Sequence, residues 1–392
     1  MSIRVLIVDD SVVIRRILQE ILQADPDFEV VGTASDGKIA LQRIAQLKPD
    51  AITLDIEMPN MDGLQTLSEL RKTHPRLPVV MLSTLTRRCA SATLDALSRG
   101  ADDYITKPVD TRSPAESFAQ VREQLLPKLK ALCKVKRPST EVTKPFVPLK
   151  PLSRSGPVVP IRPPSPDPAP GPRLPLSRID AVVIASSTGG PAALGQVIPL
   201  LPANLPVPVF IVQHMPALFT RLLADRLTST SAVPVDEART GVVVEPGKVW
   251  LAPGGFHLEL VREGQGVRLN LNQDAPENSC RPAADPLFRS AAAIYGAHTL
   301  GVVLTGMGQD GMRGCEAIRA AGGQVVVQDE ASSVVWGMPG FVARSGIADR
   351  VLPLGLVARE IFDRLRLGRS GGLSLNRSSI AASEGNDVHQ RR

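Results

Sequence analysis

Ala181-Val-Val-Ile-Ala-Ser-Ser-Thr-Gly-Gly-Pro191 decides how the second half of this chain folds. Five apolar residues, three of them β-branched, run into two serines and then a Gly-Gly-Pro turn. A short continuous apolar run bounded by turn residues reads as a strand buried on both faces of a parallel sheet. Two further runs have the same form: Val207-Pro-Val-Phe-Ile-Val212 leads into His214, and Leu300-Gly-Val-Val-Leu304 leads toward Asp310. Ligands of open α/β sheets bind at the carboxyl ends of the strands. A serine, a histidine and an aspartate at that edge are the parts of an activated-serine hydrolase.

Within the first run the nucleophile must be chosen between Ser186 and Ser187. A sharp strand-to-helix turn wants a glycine two residues after the nucleophile. Ala185-Ser-Ser-Thr-Gly189 meets that spacing around Ser187 and not around Ser186. The helix opened by Gly190-Pro191 would aim free backbone N–H groups at a developing oxyanion. A plainer reading competes, in which either serine simply caps that helix. The base follows by elimination among five histidines. His74 falls in the first half, His389 in the tail, and His298 before its strand, at the far edge. His257 lies in a region expected to form hairpins, whereas His214 directly follows a buried-type strand. For the orienting acid, Asp310 lies in the glycine-rich turn Leu304-Thr-Gly-Met-Gly-Gln-Asp-Gly311, with Asp285 and Asp329 as competitors. The order Ser, His, Asp matches neither the α/β-hydrolase nor the chymotrypsin or subtilisin order.

Working outward to the N-terminus, residues 1–127 alternate strand and helix patterns five times, which makes a doubly wound parallel sheet with helices on both faces. Asp9 and Asp10 follow the first strand and Asp55 the third, and those strands are adjacent in such a sheet. Clustered carboxylates call for a hard cation, and Mg²⁺ suits oxygen ligands. Ser83 ends the fourth strand and Lys107 the fifth, placed to hold a phosphoryl oxygen. The chemistry read from these residues is acyl-phosphate formation on an aspartate.

Between the two halves, Pro138 to Leu176 holds thirteen prolines in 39 residues. Such a composition cannot bury a core and reads as an extended tether. Residues 128–178 carry eleven Lys/Arg and two acids, a charge of +9 that leaves −3 for the remainder of a chain of net charge +6. The basic pI therefore belongs to one segment. The expected division is 1–127, a linker at 128–177, a second α/β domain at 178–366 with hairpins near 241–256, and a disordered tail at 367–392. No apolar stretch reaches the ~20 residues of a membrane span. The N-terminus meets acidic residues too soon for a signal peptide. The four cysteines lack metal or disulfide spacing. A cytoplasmic protein is the expectation.

The first half closely resembles the response-regulator receiver domain. That resemblance implies Asp55 as phosphoacceptor, with Mg²⁺ held by Asp10, Asp55 and the Glu57 carbonyl and by Asp9 through water. It further implies Ser83 and Lys107 as phosphoryl contacts and Tyr104 as the switch aromatic. Residues 178–366 resemble the catalytic domain of the chemotaxis protein-glutamate methylesterase family, CheB. The matching stretches are Ile184–Pro191, Gln213-His-Met-Pro216, Leu251-Ala-Pro-Gly-Gly255, Arg281–Phe288, Leu304–Gly311 and Gly337-Met-Pro339. Here the resemblance implies Ser187, His214 and Asp310 as the triad, Thr188 in the site and the Met307 N–H at the oxyanion. The chain has Ala185-Ser186 where the family usually has Gly-Ala, and Ala283-Ala284 where it usually has Ser-Val.

The activity implied by the resemblance is hydrolysis of glutamate γ-methyl esters on chemoreceptors, releasing methanol, with glutamine deamidation beside it. The resemblance also implies a CheA-type histidine kinase as phosphodonor, and a receiver that covers the cleft until phosphorylated. Mg²⁺ would serve phosphorylation only, and ester hydrolysis would need no cofactor. Neither nucleic-acid binding nor membrane insertion is expected. The alternatives are a DNA-binding response regulator, supported only by the basic linker, and a non-catalytic signalling adaptor.

Overall fold

The computed structural model describes residues 2–107, 114–135, 177–367 and 369. The first domain runs β1 (Ile3–Val8), α1 (Val12–Gln23), β2 (Phe28–Ala34), α2 (Gly37–Leu47), β3 (Ala51–Asp55), α3 (Gly63–Thr73), β4 (Val79–Ser83), α4 (Arg87–Ser98), β5 (Asp103–Thr106) and α5 (Pro114–Val135). Its five parallel strands are ordered β2-β1-β3-β4-β5. A short polar residue starts each of the first four helices. Ser11, Asp36, Asp62 and Thr86 accept from the N–H groups of Ile14, Ile39, Gln65 and Cys89, satisfying donors the helices cannot pair internally. At α3 the Gln65 side chain reciprocates, closing a capping box.

The second domain continues with β6 (Ala181–Ser186), α6 (Gly190–Val197), β7 (Val209–Gln213), α7 (Ala217–Thr230), β8 (Val235–Glu237), β9 (Val249–Leu251), β10 (His257–Glu263), β11 (Gly266–Asn272), α8 (Ala284–Tyr295), β12 (Thr299–Val303), α9 (Met312–Ala320), β13 (Gln324–Gln328), α10 (Met338–Arg344), β14 (Arg350–Leu352) and α11 (Leu354–Arg366). Seven strands form one sheet in the order β14-β13-β12-β6-β7-β9-β8, and every pairing is parallel. All residues of β6, β7 and β12 are buried, which is why those runs are apolar throughout. The chain leaves β6 in one direction for β7 and later returns to its other side with β12. Ligand crevices form at such a switch point.

Two expectations need correction. The hairpin lies at 257–272, where β10 and β11 pair antiparallel, and the 241–256 stretch instead contributes β9 to the main sheet. Gly264 at the hairpin's turn, with φ +57°, is the local reason. The linker also starts later than residue 128. Helix α5 continues to Val135 with Pro127 inside it, because Leu129, Leu132 and Cys133 remain buried against the receiver core. Residues 136–176 of the linker, and the tail except Leu367 and Arg369, lie outside the described residues.

The two domains touch. Helix α4 packs on α6 and α7, Arg226 pairs with Asp95 at 2.5 Å, and the Tyr104 ring stacks on Phe219 with centroids 4.5 Å apart. No helix among the described residues is long and apolar enough to cross a membrane.

Candidate active site and phosphoacceptor site

Register levels the strand ends that matter. Ser186 pairs with Gln213 across β6 and β7, so Ser187 and His214 are each the first residue beyond that rung. Asp310 arrives from the loop after β12, the neighbour of β6 on its other side. At the turn, Gly189 stands at φ +76°, and a Cβ there would lie 2.6 Å from Val334. Only glycine fits.

The two serines separate by their partners. Ser186 is fully buried and its hydroxyl donates to Gln213 Oε1 at 2.7 Å. The other end of the same amide donates to the Ser187 carbonyl at 3.0 Å. The Ser187 N–H donates to the Thr305 carbonyl at 3.0 Å, and its carbonyl accepts from Gly190 N–H at 2.7 Å. Backbone and neighbours are thus pinned, while Ser187 Oγ makes no hydrogen bond among the described residues. Neither serine caps α6. Gln213, inside a motif read from the sequence but given no role there, is the locking residue. Its signal was a polar side chain ending an otherwise apolar buried strand.

His214 Nε2 bonds Asp310 Oδ2 at 2.7 Å. Its Nδ1 faces Cys280 Sγ at 3.5 Å, and no hydrogen bond joins it to Ser187. Burial pushes the imidazole pKa down, and the Asp310 carboxylate and the Cys280 sulfur more than offset this, so it stands above 6.5. For Asp310, burial pulls upward, but His214 and the N–H groups of Ala284 and Asp285 win and hold the carboxyl below its ordinary value. Asp310 Oδ2 also accepts from Ala284 N–H at 2.6 Å, so the carboxylate sits on the N-terminus of α8, where the helix dipole favours negative charge.

The competitors are placed elsewhere. Asp285 accepts from Gly314 N–H at 2.7 Å, in the first turn of α9. Burial and the nearby Asp310 raise its pKa. Asp329 binds Ser332. His257 uses both ring nitrogens on backbone, accepting from Ala283 N–H and facing the Ala275 carbonyl. His298 faces the Arg178 carbonyl. The Met307 N–H carries no hydrogen bond among the described residues, and its side chain packs against the cluster that joins Val335 to the receiver core. Thr188 does not point free into the site: its hydroxyl donates to Asp103 of the receiver at 2.5 Å. Asp103 also takes Lys128 of α5 at 3.0 Å. Neither Asp103 nor Cys280 was singled out from the sequence, because both matter only through a partner far along the chain.

In the receiver, Asp9, Asp10 and Asp55 place carboxylate oxygens within 4.8 Å of one another. Lys107 Nζ pairs with Asp9 at 2.7 Å and Asp55 at 2.8 Å. Burial raises both carboxyls, Asp55 to about 6. Asp9 Oδ2 is buried and, apart from that ion pair, has no hydrogen bond. A cluster of three carboxylate oxygens, two of them from buried side chains, fits Mg²⁺. Ser83 Oγ accepts from Thr93 at 2.8 Å. The Glu57 side chain faces outward to Arg88 at 3.7 Å, leaving its backbone for the site. Tyr104 is buried and pointed into the domain interface.

A carboxylate-and-lysine receiver fused to a parallel-sheet domain with a His–Asp pair at its switch point defines a response regulator with an enzymatic output domain. The response regulator receiver family matches residues 5–117 and the CheB methylesterase family residues 182–361. A protein-glutamate methylesterase/protein-glutamine glutaminase of Trichodesmium erythraeum is 49% identical over 362 residues, covering 92% of this chain and 99% of its own. A protein of the same name from a Nocardioides species is 50% identical over 93% of this chain and 96% of its own. The CheB methylesterase catalytic domain of Thermotoga maritima, a solved structure, is 45% identical with TM-score 0.46, covering 47% of this chain and 98% of that one. The chain belongs to the CheB family of protein-glutamate methylesterases, hydrolases that carry a receiver domain.

Proposed function

We propose that Ser187, His214 and Asp310 hydrolyse glutamate γ-methyl esters on chemoreceptors, and that the same site deamidates receptor glutamines. The carrying observation is the 2.7 Å His214–Asp310 bond beside a serine whose backbone is pinned and whose Oγ is unengaged. With Nε2 committed to Asp310, Nδ1 takes the Ser187 proton, exchanging its 3.5 Å contact with Cys280 Sγ for the serine. Asp310 stabilises the imidazolium that forms. Attack gives an acyl-enzyme and methanol, and water resolves the ester. The Met307 N–H, which carries no hydrogen bond among the described residues, would receive the oxyanion. No cofactor takes part in this step. The absent Ser187–His214 bond is no obstacle, since catalytic hydrogen bonds often tighten only with substrate bound.

Phosphorylation regulates access. Mg²⁺ held by Asp9, Asp10, Asp55 and the Glu57 carbonyl would neutralise the carboxylates and the incoming phosphoryl group. Asp55 then attacks the phosphohistidine of a CheA-type kinase. Ser83 and Lys107 contact the product phosphoryl, and Tyr104 responds at the interface. The receiver holds Thr188, the residue after the nucleophile, so docking and turnover compete. The direct test is methanol release from methylated receptor membranes by wild type, Ser187→Ala and Ser186→Ala. Turnover should vanish in Ser187→Ala and survive in Ser186→Ala. The reverse pattern would transfer the nucleophile role to Ser186.

A further inference from the structure

The loop 277–281 reaches the catalytic groups from outside the three strand ends. Asn278 and Ser279 sit at φ +51° and +62°, a left-handed turn that turns the Asn278 side chain inward although the residue itself is exposed. Its Nδ2 lies 3.0 Å from Asp310 Oδ1 and 3.0 Å from Asp285 Oδ2. One amide group therefore donates to two carboxylates, each 1% exposed. Charged and titratable groups around them are His214 from the β7 end, Cys280 from the same loop, the buried Cys315 thiol of α9, and the Glu277–Arg289 ion pair at 2.6 Å. Two buried carboxylates side by side repel, and each disfavours ionisation of the other. The three other donors to Asp310 are His214 and the Ala284 and Asp285 N–H groups, and none of them binds both acids.

We infer that Asn278 is a positioning residue whose amide bridges Asp310 and Asp285, so that Asp310 stays ionised and aimed at His214 Nε2. The inference rests on the reading of Ser187, His214 and Asp310 as the catalytic set. Asn278 acts through Asp310 and need not touch substrate. Its loss therefore lowers kcat and spares KM.

The test uses the full chain and steady-state methanol release from methylated receptor membranes. Asn278→Gly deletes the amide while keeping a residue that tolerates the left-handed backbone. Its kcat should fall about 10- to 100-fold, the scale of one hydrogen bond to a charged group, with KM within about twofold. Adding Asp285→Asn removes the repelling charge, retains an acceptor for Gly314 N–H and offers a new donor toward Asp310. The double variant should recover part of the lost kcat. An unchanged kcat in Asn278→Gly, a change confined to KM, or a double variant no better than the single would each overturn the inference. Ser187→Ala and Asp310→Asn separate it from its premise. If both are inactive and Asn278→Gly is normal, Asn278 alone is wrongly assigned. If Ser187→Ala keeps its activity, the catalytic set and the inference fall together.

Discussion

The chemistry at single residues turns on what burial does to charge. For His214, the Asp310 carboxylate and the Cys280 sulfur together outweigh burial and lift the imidazole above 6.5. A base works only when unprotonated, so kcat/KM should rise with pH and be lost as pH falls through that raised value. The expected midpoint lies above 6.5, and a pH–rate profile of methanol release with a midpoint below it would show that the carboxylate does not govern this histidine. Asp55 has the opposite balance. Burial beside Asp9 lifts it from 3.8 to about 6 despite Lys107. Its ionised form is therefore disfavoured in the fold at pH 7. The folded state gains stability as pH falls through about 6, and the gain is complete below 3.8. The shift corresponds to about 3 kcal/mol. Asp55→Asn should accordingly raise the receiver's unfolding free energy at pH 7 by about 1–3 kcal/mol, with the advantage gone near pH 4. Mg²⁺ should shrink the same difference at pH 7, because the cation compensates the carboxylates that the asparagine removes. Urea melts at the two pH values, with and without Mg²⁺, check both statements.

Among elements, helix N-termini do much of the placement. Asp310 precedes α9 yet accepts from the first turn of α8, while Asp285 in α8 accepts from the first turn of α9. Two helices thus cap each other through acids that are distant in sequence. The amino-acid order alone leaves Asp310, Asp285 and Asp329 in competition, because the first two are joined through the Asn278 amide and only the fold decides which meets His214. The parallel strands were legible for a clear reason. Strands buried on both faces are mostly apolar, and Ser187 and His214 each directly follow such a strand, with Asp310 in the loop beyond a third. The tight turn after Ser187 was likewise legible, since Gly189 adopts φ +76°. The hairpin's position was not, because glycines and prolines at 241–256 mark turns without saying which strands they join. Gln213 stood out only as part of a motif. Its amide locks both Ser186 Oγ and the Ser187 carbonyl, and Gln213→Ala would leave the buried Ser186 Oγ unpaired at about 1–3 kcal/mol and the Ser187 carbonyl with Gly190 N–H as its remaining donor. Lower thermal stability together with reduced kcat is the expected outcome, and a variant with wild-type kcat would show that the turn holds without this amide.

At the scale of the whole molecule, strand β5 connects the two sites. Lys107 follows it and reaches Asp55, while Asp103 and Tyr104 within it reach Thr188 and Phe219. A phosphoryl group on Asp55 would compete for Lys107, which follows the far end of the strand whose first two residues hold the catalytic domain. It can shift the docked and open populations only by binding them unequally. The Asp103–Thr188 bond is charge-assisted and buried, worth about 1.5–3 kcal/mol, or roughly a 10- to 100-fold bias toward docking. Asp103→Ala should therefore raise unstimulated esterase activity and leave little for a small-molecule phosphodonor to add. Asp55→Ala should show the complementary defect, a stimulated-to-unstimulated ratio of one. The two variants together are decisive in a way neither is alone. If Asp103→Ala left unstimulated turnover unchanged while phosphodonor still stimulated it fully, the contact would be incidental to control. If Asp55→Ala still responded to phosphodonor, the signal would not enter through Asp55. When Asp103→Ala is active without phosphodonor and Asp55→Ala cannot be stimulated, the double variant should behave like Asp103→Ala, because removing the latch acts downstream of the phosphoryl group.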